Sequence, residues 1–238
     1  MSRTLQPDPS WFEIDPAFYA HGGTCFNPAE LQLLDDIAGH RVLVGPVTPE
    51  NRGEEALSLV NLGARVTAFA WSDADLAPAR DLARAAGRPV DWATVPPGFV
   101  PADGGPFGAI ISTFGALDAI PDLDAWAESL ARAILPGGRL LISDRHPIAR
   151  VAEVYKGLLI VGHSYFGEAR GEEPWTLDDL LTSLASAGFA LLSFEEFPGS
   201  DRYHTRLDEL PGVRWEHRWR LPGAFLALFS LAAPPESQ

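Results

Sequence analysis

Glu54-Glu55-Ala56-Leu57-Ser58-Leu59-Val60-Asn61-Leu62-Gly63-Ala64-Arg65-Val66-Thr67-Ala68-Phe69-Ala70 is the stretch on which the fold turns. Its first part reads as a helix, Glu54 to Leu62, closed by Gly63. Its second part, Arg65 to Ala70, is a short β-rich run that reads as a strand. A helix followed at once by a strand implies a β-α-β unit if another strand precedes it, and one does. Arg41-Val42-Leu43-Val44-Gly45 is apolar and short, and a loop of eight residues joins it to Glu54.

The alternation continues downstream. Asp75 to Ala86 reads as a helix with Gly87 at its end, then Val90 to Ala93 and Phe107 to Thr113 read as strands. Asp124 to Leu135 is a helix, Pro136-Gly137-Gly138 a turn, and Arg139 to Ser143 a fifth strand. This rhythm predicts a parallel sheet with helices on both faces. Residues 1–40 are a lead-in containing one helix, with Asn27 as cap, Pro28 in the first turn and Gly39 after its end. Residues 144–175 break the rhythm as a long irregular insertion, and such insertions in compact domains are usually functional lids. A helix capped by Thr176 then runs to Ala187. Phe189 to Phe197 and Ala224 to Ala233 are the last two strands. No convincing helix separates them, so they are expected to pair antiparallel. The 238 residues read as a single domain.

Composition narrows the function classes. Hydrophobic residues make up 46% and charged residues 21%, as in ordinary globular proteins, and no apolar run is long enough to span a bilayer. The start of the chain lacks the apolar core of a signal peptide, and a cytoplasmic protein is expected. The net charge of −14 would repel a phosphate backbone, so nucleic acid is not expected as a partner. Arg202, Arg206, Arg214, Arg218 and Arg220 do cluster, but they alternate with carboxylates and aromatics and read as a solvated face. Cys25 is the single cysteine, so no internal disulfide forms, and a small half-buried hydrophobe is the simplest role for it. The six histidines show no metal-ligand spacing.

Five stretches in this order resemble the class I S-adenosylmethionine-dependent methyltransferases. They are Glu54–Thr67, Ser72–Arg80, Phe107–Leu117, Leu135–Ser143 and the closing Phe225–Leu231. Together they are spread from residue 54 to residue 231, over most of the chain. The resemblance implies an α/β, Rossmann-like, three-layer fold with a seven-stranded sheet in the order 3-2-1-4-5-7-6, the last strand antiparallel. It implies S-adenosylmethionine as cofactor, bordered by Gly45, Asn51, Arg52, Gly53, Ala70, Trp71, Thr113 and Phe114.

The residues at those positions depart from the family's pattern. Val44 to Gly53 should be a glycine-rich loop, where backbone amides and a helix N-terminus meet the cofactor carboxylate. Only Gly53 stands where a loop glycine is expected. Pro46 and Pro49 remove two amide donors, Glu50 adds a negative charge, and Arg52 is the candidate to offset it. The acid that accepts from the ribose hydroxyls is replaced by Ala70. Trp71 beside it can stack on adenine or pack in the core. The adenine-reading position falls near Pro96. Weak or absent cofactor binding is therefore expected.

On the substrate side, Asp144, Arg145 and His146 follow the fifth strand, at the edge where ligands of open α/β sheets lie. His146 and Asp144 are the candidate bases. Tyr155, His163, Tyr165, Phe166 and Trp175 populate the insertion, and Trp11, Phe12 and Tyr19 the lead-in. Of these, Tyr19, Tyr165, Phe166 and Trp175 are the candidates to cover a small-molecule substrate. Tyr203, Trp215, His217 and Trp219 read as a sheet face or interface. A homodimer is left open. So are three functions: a methyltransferase acting on a small molecule, a binding or interaction protein that has lost the cofactor, and a protein that uses the old pocket for another ligand.

Overall fold

Strand residues with apolar side chains on both faces can be buried only between two helical layers, and that is how this chain is built. The computed structural model describes residues 15–48, 51–101, 106–155, 158–161, 164–166, 175–197 and 222–232. Nine strands are present among them: β1 (Arg41–Gly45), β2 (Arg65–Ala70), β3 (Asp91–Thr94), β4 (Phe107–Ser112), β5 (Ile134–Arg145), β6 (Ala152–Tyr155), β7 (Leu158–Val161), β8 (Phe189–Phe197) and β9 (Ala224–Leu231). The helices are α1 (Pro16–Ala20), α2 (Pro28–Leu33), α3 (Glu54–Asn61), α4 (Asp73–Ala86), α5 (Leu123–Ala133), α6 (Ile148–Val151) and α7 (Leu177–Ser186).

Seven strands form one sheet in the order β3-β2-β1-β4-β5-β9-β8. The first five are parallel, and β9 runs antiparallel to both β5 and β8. This is the expected order, because β8 and β9 are the sixth and seventh strands of the sequence reading.

One sheet face carries Val42, Val44, Val66, Ala68, Ala70, Ala109, Ile111, Leu141, Leu226 and Leu228, packed with residues of α1, α3 and α4 and of the segment around α2. The other carries Leu43, Phe69, Phe107, Ile110, Leu140, Ile142, Phe225, Ala227 and Phe229, packed with α5 and α7. The period-two alternation of each strand thus divides its apolar residues between two cores. Side-chain caps set the helix starts. Asn27 and Glu30 form a capping box on α2, Thr176 and Asp179 another on α7, and Ser72 and Asp122 cap α4 and α5. Each such cap is worth about 1 kcal/mol.

The structure differs from the sequence reading in several places. Lead-in residues 16–20 form a helix, capped by Asp15. Helix α5 stops at Ala133, and Ile134 already pairs with Phe107, so the Pro136-Gly137-Gly138 turn lies inside β5 as an irregularity before Arg139 pairs with Ala109. The insertion is less irregular than expected, since α6 and the antiparallel pair β6–β7 lie within it. The lead-in aromatics Trp11 and Phe12, residues Pro49 and Glu50, His163, and the whole of 201–221 with its arginines and aromatics lie outside the described residues.

Candidate functional site

The crevice that the fold provides lies at the carboxyl ends of β1, β2 and β4, where the chain leaves the sheet. Gly45 ends β1 with φ 151°, and a Cβ there would sit 2.6 Å from the Phe69 carbonyl oxygen. Only glycine fits so close to β2. Gly53 starts α3 with φ 75°, and a Cβ there would meet the Ala79 Cβ at 2.8 Å. These two glycines press the loop between them onto the sheet and onto α4.

Asn51 organises that loop from within. It is buried, at 6% exposure. Its Nδ2 donates to the Pro46 carbonyl at 3.1 Å and to Thr113 Oγ1 at 3.0 Å. Its Oδ1 accepts from the amides of Thr48 at 3.1 Å and Gly53 at 3.2 Å. Thr113, buried at the end of β4, also donates its hydroxyl to the Pro46 carbonyl at 2.5 Å. Other loop amides have partners as well: Val47 donates to Phe69 O, Asn51 to Thr48 Oγ1, Arg52 to Thr48 O and Glu54 to Asn51 O. Pro46 has no amide hydrogen. Among the described residues, the loop amides from Val47 to Gly53 are engaged by the loop itself or by β2. Arg52 is exposed, in the left-handed region at φ 48°.

The neighbouring positions are closed too. Ala70 is fully buried at the end of β2, and its carbonyl accepts from the Val95 amide at 3.1 Å. Trp71 donates its indole N–H to the Phe99 carbonyl at 3.2 Å and packs against the α5 face. The segment after β3 offers few donors: the Val95 amide is engaged and Pro96 and Pro97 have none. Tyr19, 2% exposed, donates its phenol to Glu54 Oε2 at 2.5 Å, in the first turn of α3. Asn61 and Arg88 both donate to the Tyr19 carbonyl, which anchors the lead-in across α3 and α4.

At the β4–β5 side, Asp144 belongs to the strand rather than to a loop after it. It is 1% exposed. Its Oδ1 accepts from the amides of Gly115 at 2.9 Å and Arg145 at 2.6 Å, and its Oδ2 from Leu117 at 2.9 Å. Burial pushes this carboxyl up to about 7, against the downward pull of the three amide bonds. Both oxygens hold the turn that follows β4. His146 is buried as well. Its Nδ1 accepts the Ile148 amide at 3.1 Å, which leaves the ring proton for Nε2, 3.1 Å from Glu196 Oε1. Its ring stands edge-on to Phe225. Phe114 is half-buried under the Arg145 guanidinium, 5.6 Å from the ring centre, and Arg145 pairs with Asp118 at 3.3 Å.

Trp175 and Tyr165 do reach this edge. Trp175 donates its indole N–H to the Leu117 carbonyl at 2.9 Å, and the Tyr165 hydroxyl accepts the Leu177 amide at 3.1 Å. Phe166 stacks edge-on against Tyr165 and is 85% exposed. The structure therefore gathers Asn51, Thr113 and Gly45 in one crevice, and Phe114, Asp144 and Trp175 around the turn after β4. Glu54, Phe99 and Glu196 are partners the sequence reading did not single out. Glu196 has a signal in hindsight, since a carboxylate near the end of an edge strand faces its neighbours across the sheet.

A sulfonium cofactor with carboxylate, ribose and adenine needs donors for the first, an acceptor for the second and a polar edge for the third. Among the described residues, the amides of Thr48, Asn51, Arg52 and Gly53 are bound to Asn51 and Thr48, an alanine ends β2, and a pair of prolines follows β3.

No protein-family model matches the chain, and no curated protein matches it. Solved structures do. An S-adenosylmethionine-dependent methyltransferase from Mesorhizobium loti is 23% identical over 85% of this chain and 96% of its own, with a TM-score of 0.65. A putative S-adenosylmethionine-dependent methyltransferase from Listeria monocytogenes is 18% identical over 90% and 99%, with a TM-score of 0.65. The [4+2]-cyclase SpnF is 18% identical over 92% of both chains, with a TM-score of 0.57. With the strand order and the two helical layers described above, these likenesses establish that the chain has the Rossmann-like fold of the class I S-adenosylmethionine-dependent methyltransferases.

Proposed function

We propose that this is a methyltransferase-fold protein that handles a small molecule and binds S-adenosylmethionine weakly or not at all. The observation that carries the reading is the loop after β1, whose amides are engaged by Asn51, Thr48 and Phe69. Each hydrogen bond to a charged group that a ligand forgoes costs about 1.5–3 kcal/mol. Two such losses, at the carboxylate and at the ribose, weaken binding by roughly a hundredfold or more. A fold of this kind does not dictate one chemistry. One of its structural relatives is named as a [4+2]-cyclase. The acidic surface favours a small-molecule partner over nucleic acid. The test is calorimetric titration of the full chain with S-adenosylmethionine and S-adenosylhomocysteine. No heat of binding in the low-micromolar range is expected, and a low-micromolar dissociation constant overturns the proposal.

A second reading is that the chain methylates a small molecule. The close-approach glycines Gly45 and Gly53 favour it, since they keep the backbone path of a cofactor loop. Mass spectrometry separates the two readings. Protein purified from cells and denatured should release S-adenosylhomocysteine only under this second one.

A further inference from the structure

A concavity of about 220 Å³ lies toward the amino ends of the strands, on the sheet face that carries α3 and α4. None of its lining residues belongs to the proposed cofactor site. Its floor is apolar. Ala109, Ile111, Leu141 and Leu228 line it, and the register places Ile111, Leu141 and Leu228 side by side in one row of the sheet. Leu33 and Ile37, from α2 and the turn after it, form a wall. Gly108 and Gly137 lie at the lower end, and a Cβ added at Gly137 would meet nothing within 4 Å.

Three polar side chains line the same concavity: Asp36, His40 and Arg139. Arg139 lies in the row below the floor, in register with Ala109 and so on the same sheet face. Among the described residues, neither Asp36 nor Arg139 takes part in an ion pair with the other or with a third group. An acid and a base border one apolar floor without neutralising each other. A purely anionic ligand would meet Asp36, and a purely cationic one would meet Arg139. A zwitterion satisfies both, with an ammonium at Asp36 and a carboxylate at Arg139, assisted by His40. The apolar floor then selects a hydrocarbon side chain. The volume lies below that of drug-sized pockets, which suits a molecule of roughly ten heavy atoms.

We propose that this concavity is a binding site for a free α-amino acid with an apolar side chain, of the size of leucine or phenylalanine.

The experiment uses the full chain labelled with nitrogen-15, titrated with L-leucine and L-phenylalanine up to roughly 10 mM, above the affinity such small ligands need to reach. The Gly108 and Gly137 amide resonances are expected to move and to saturate. L-leucinamide lacks the carboxylate and N-acetyl-L-leucine lacks the ammonium, and each should bind at least about tenfold more weakly than leucine. Arg139→Gln should abolish the discrimination against leucinamide, and Asp36→Asn the discrimination against N-acetyl-leucine. Both side chains are exposed, so both variants should fold, which circular dichroism checks. No movement of either glycine amide overturns the site. Equal binding of leucine and both derivatives overturns the zwitterion. Neither outcome bears on cofactor binding at the other edge.

Discussion

Replacing Asn51 with alanine removes four side-chain hydrogen bonds at once: two donated to Pro46 O and Thr113 Oγ1, and two accepted from Thr48 and Gly53. The residue is buried, so water does not simply replace them. Each such bond contributes about 0.5–1.5 kcal/mol net, and the four are not independent, so the loss should be about 3 kcal/mol. In a domain of this length that lowers Tm by roughly 6–12 °C. The assay is urea unfolding followed by circular dichroism, with the midpoint compared at constant slope. Asn51→Asp is the informative companion. It keeps an acceptor for Thr48 and Gly53 but turns a carboxylate oxygen toward the Pro46 carbonyl, so it should be no more stable than the alanine variant. A loss below about 1 kcal/mol for Asn51→Ala would refute the view that this side chain holds the loop.

Other perturbations test the remaining parts of the crevice. Ala70→Asp restores an acceptor at the ribose position, yet alone it should not produce low-micromolar binding of S-adenosylmethionine in calorimetry, because the loop amides stay engaged. It should also cost about 2 kcal/mol of stability, since it puts a carboxylate at a fully buried position. Asp144 carries a sign that can be worked out. Its folded value, about 7, lies above its ordinary 3.8, so its contribution to stability is complete below about pH 4 and is lost as pH rises toward and through 7. Urea midpoints between pH 5 and 8 should therefore fall more steeply for the native chain than for Asp144→Asn, and equal slopes would contradict this. At pH 5 the asparagine variant should be the less stable, because its amide would face backbone N–H donors. Gly45→Ala should cost about 3 kcal/mol or more, with the Cβ forced to 2.6 Å from Phe69 O, and soluble yield with a denaturation midpoint would show it.

Much of the sheet was legible because local signals agreed with one another. Glycines after α4 and before β2 and β8 marked helix ends, and the absence of a helical pattern in the sequence before Ala224 announced the antiparallel end. What escaped was set by distant partners. The fifth strand was read as ending at Ser143, but β9 pairs Asp144 with Phe225 and Arg145 with Ala224, so the ladder continues past the local apolar run. That extension puts Asp144 in the strand rather than in a loop after it, with both carboxyl oxygens holding the turn after β4. The β6–β7 hairpin had a local signal that went unread, since Lys156-Gly157 separates two short β-rich runs. The residues at the expected cofactor positions were legible as letters, Ala70 above all. The inward turn of the Asn51 side chain was not, because nothing in its neighbours along the chain says which way an asparagine faces.

Asn51 also links stability to binding in one quantity. Buried backbone donors must be satisfied. A loop that keeps its amides for a ligand leaves them to water when the ligand is away, whereas this loop satisfies them with its own side chain. A ligand that claims the Thr48 and Gly53 amides must first displace Asn51 Oδ1. The free energy of that displacement is bounded by what Asn51→Ala removes from stability. About 3 kcal/mol corresponds to roughly a hundredfold in affinity, the upper end of what one forgone charged hydrogen bond costs at the ribose position. The two deficits lie at different ends of the ligand and should multiply. Restoring only one of them therefore leaves binding weak, and Asn51→Ala combined with Ala70→Asp should gain more affinity than either change alone. If the double variant gains no more than the better single one, the loop and the ribose position are not separate obstacles, and the closure of this crevice has another origin.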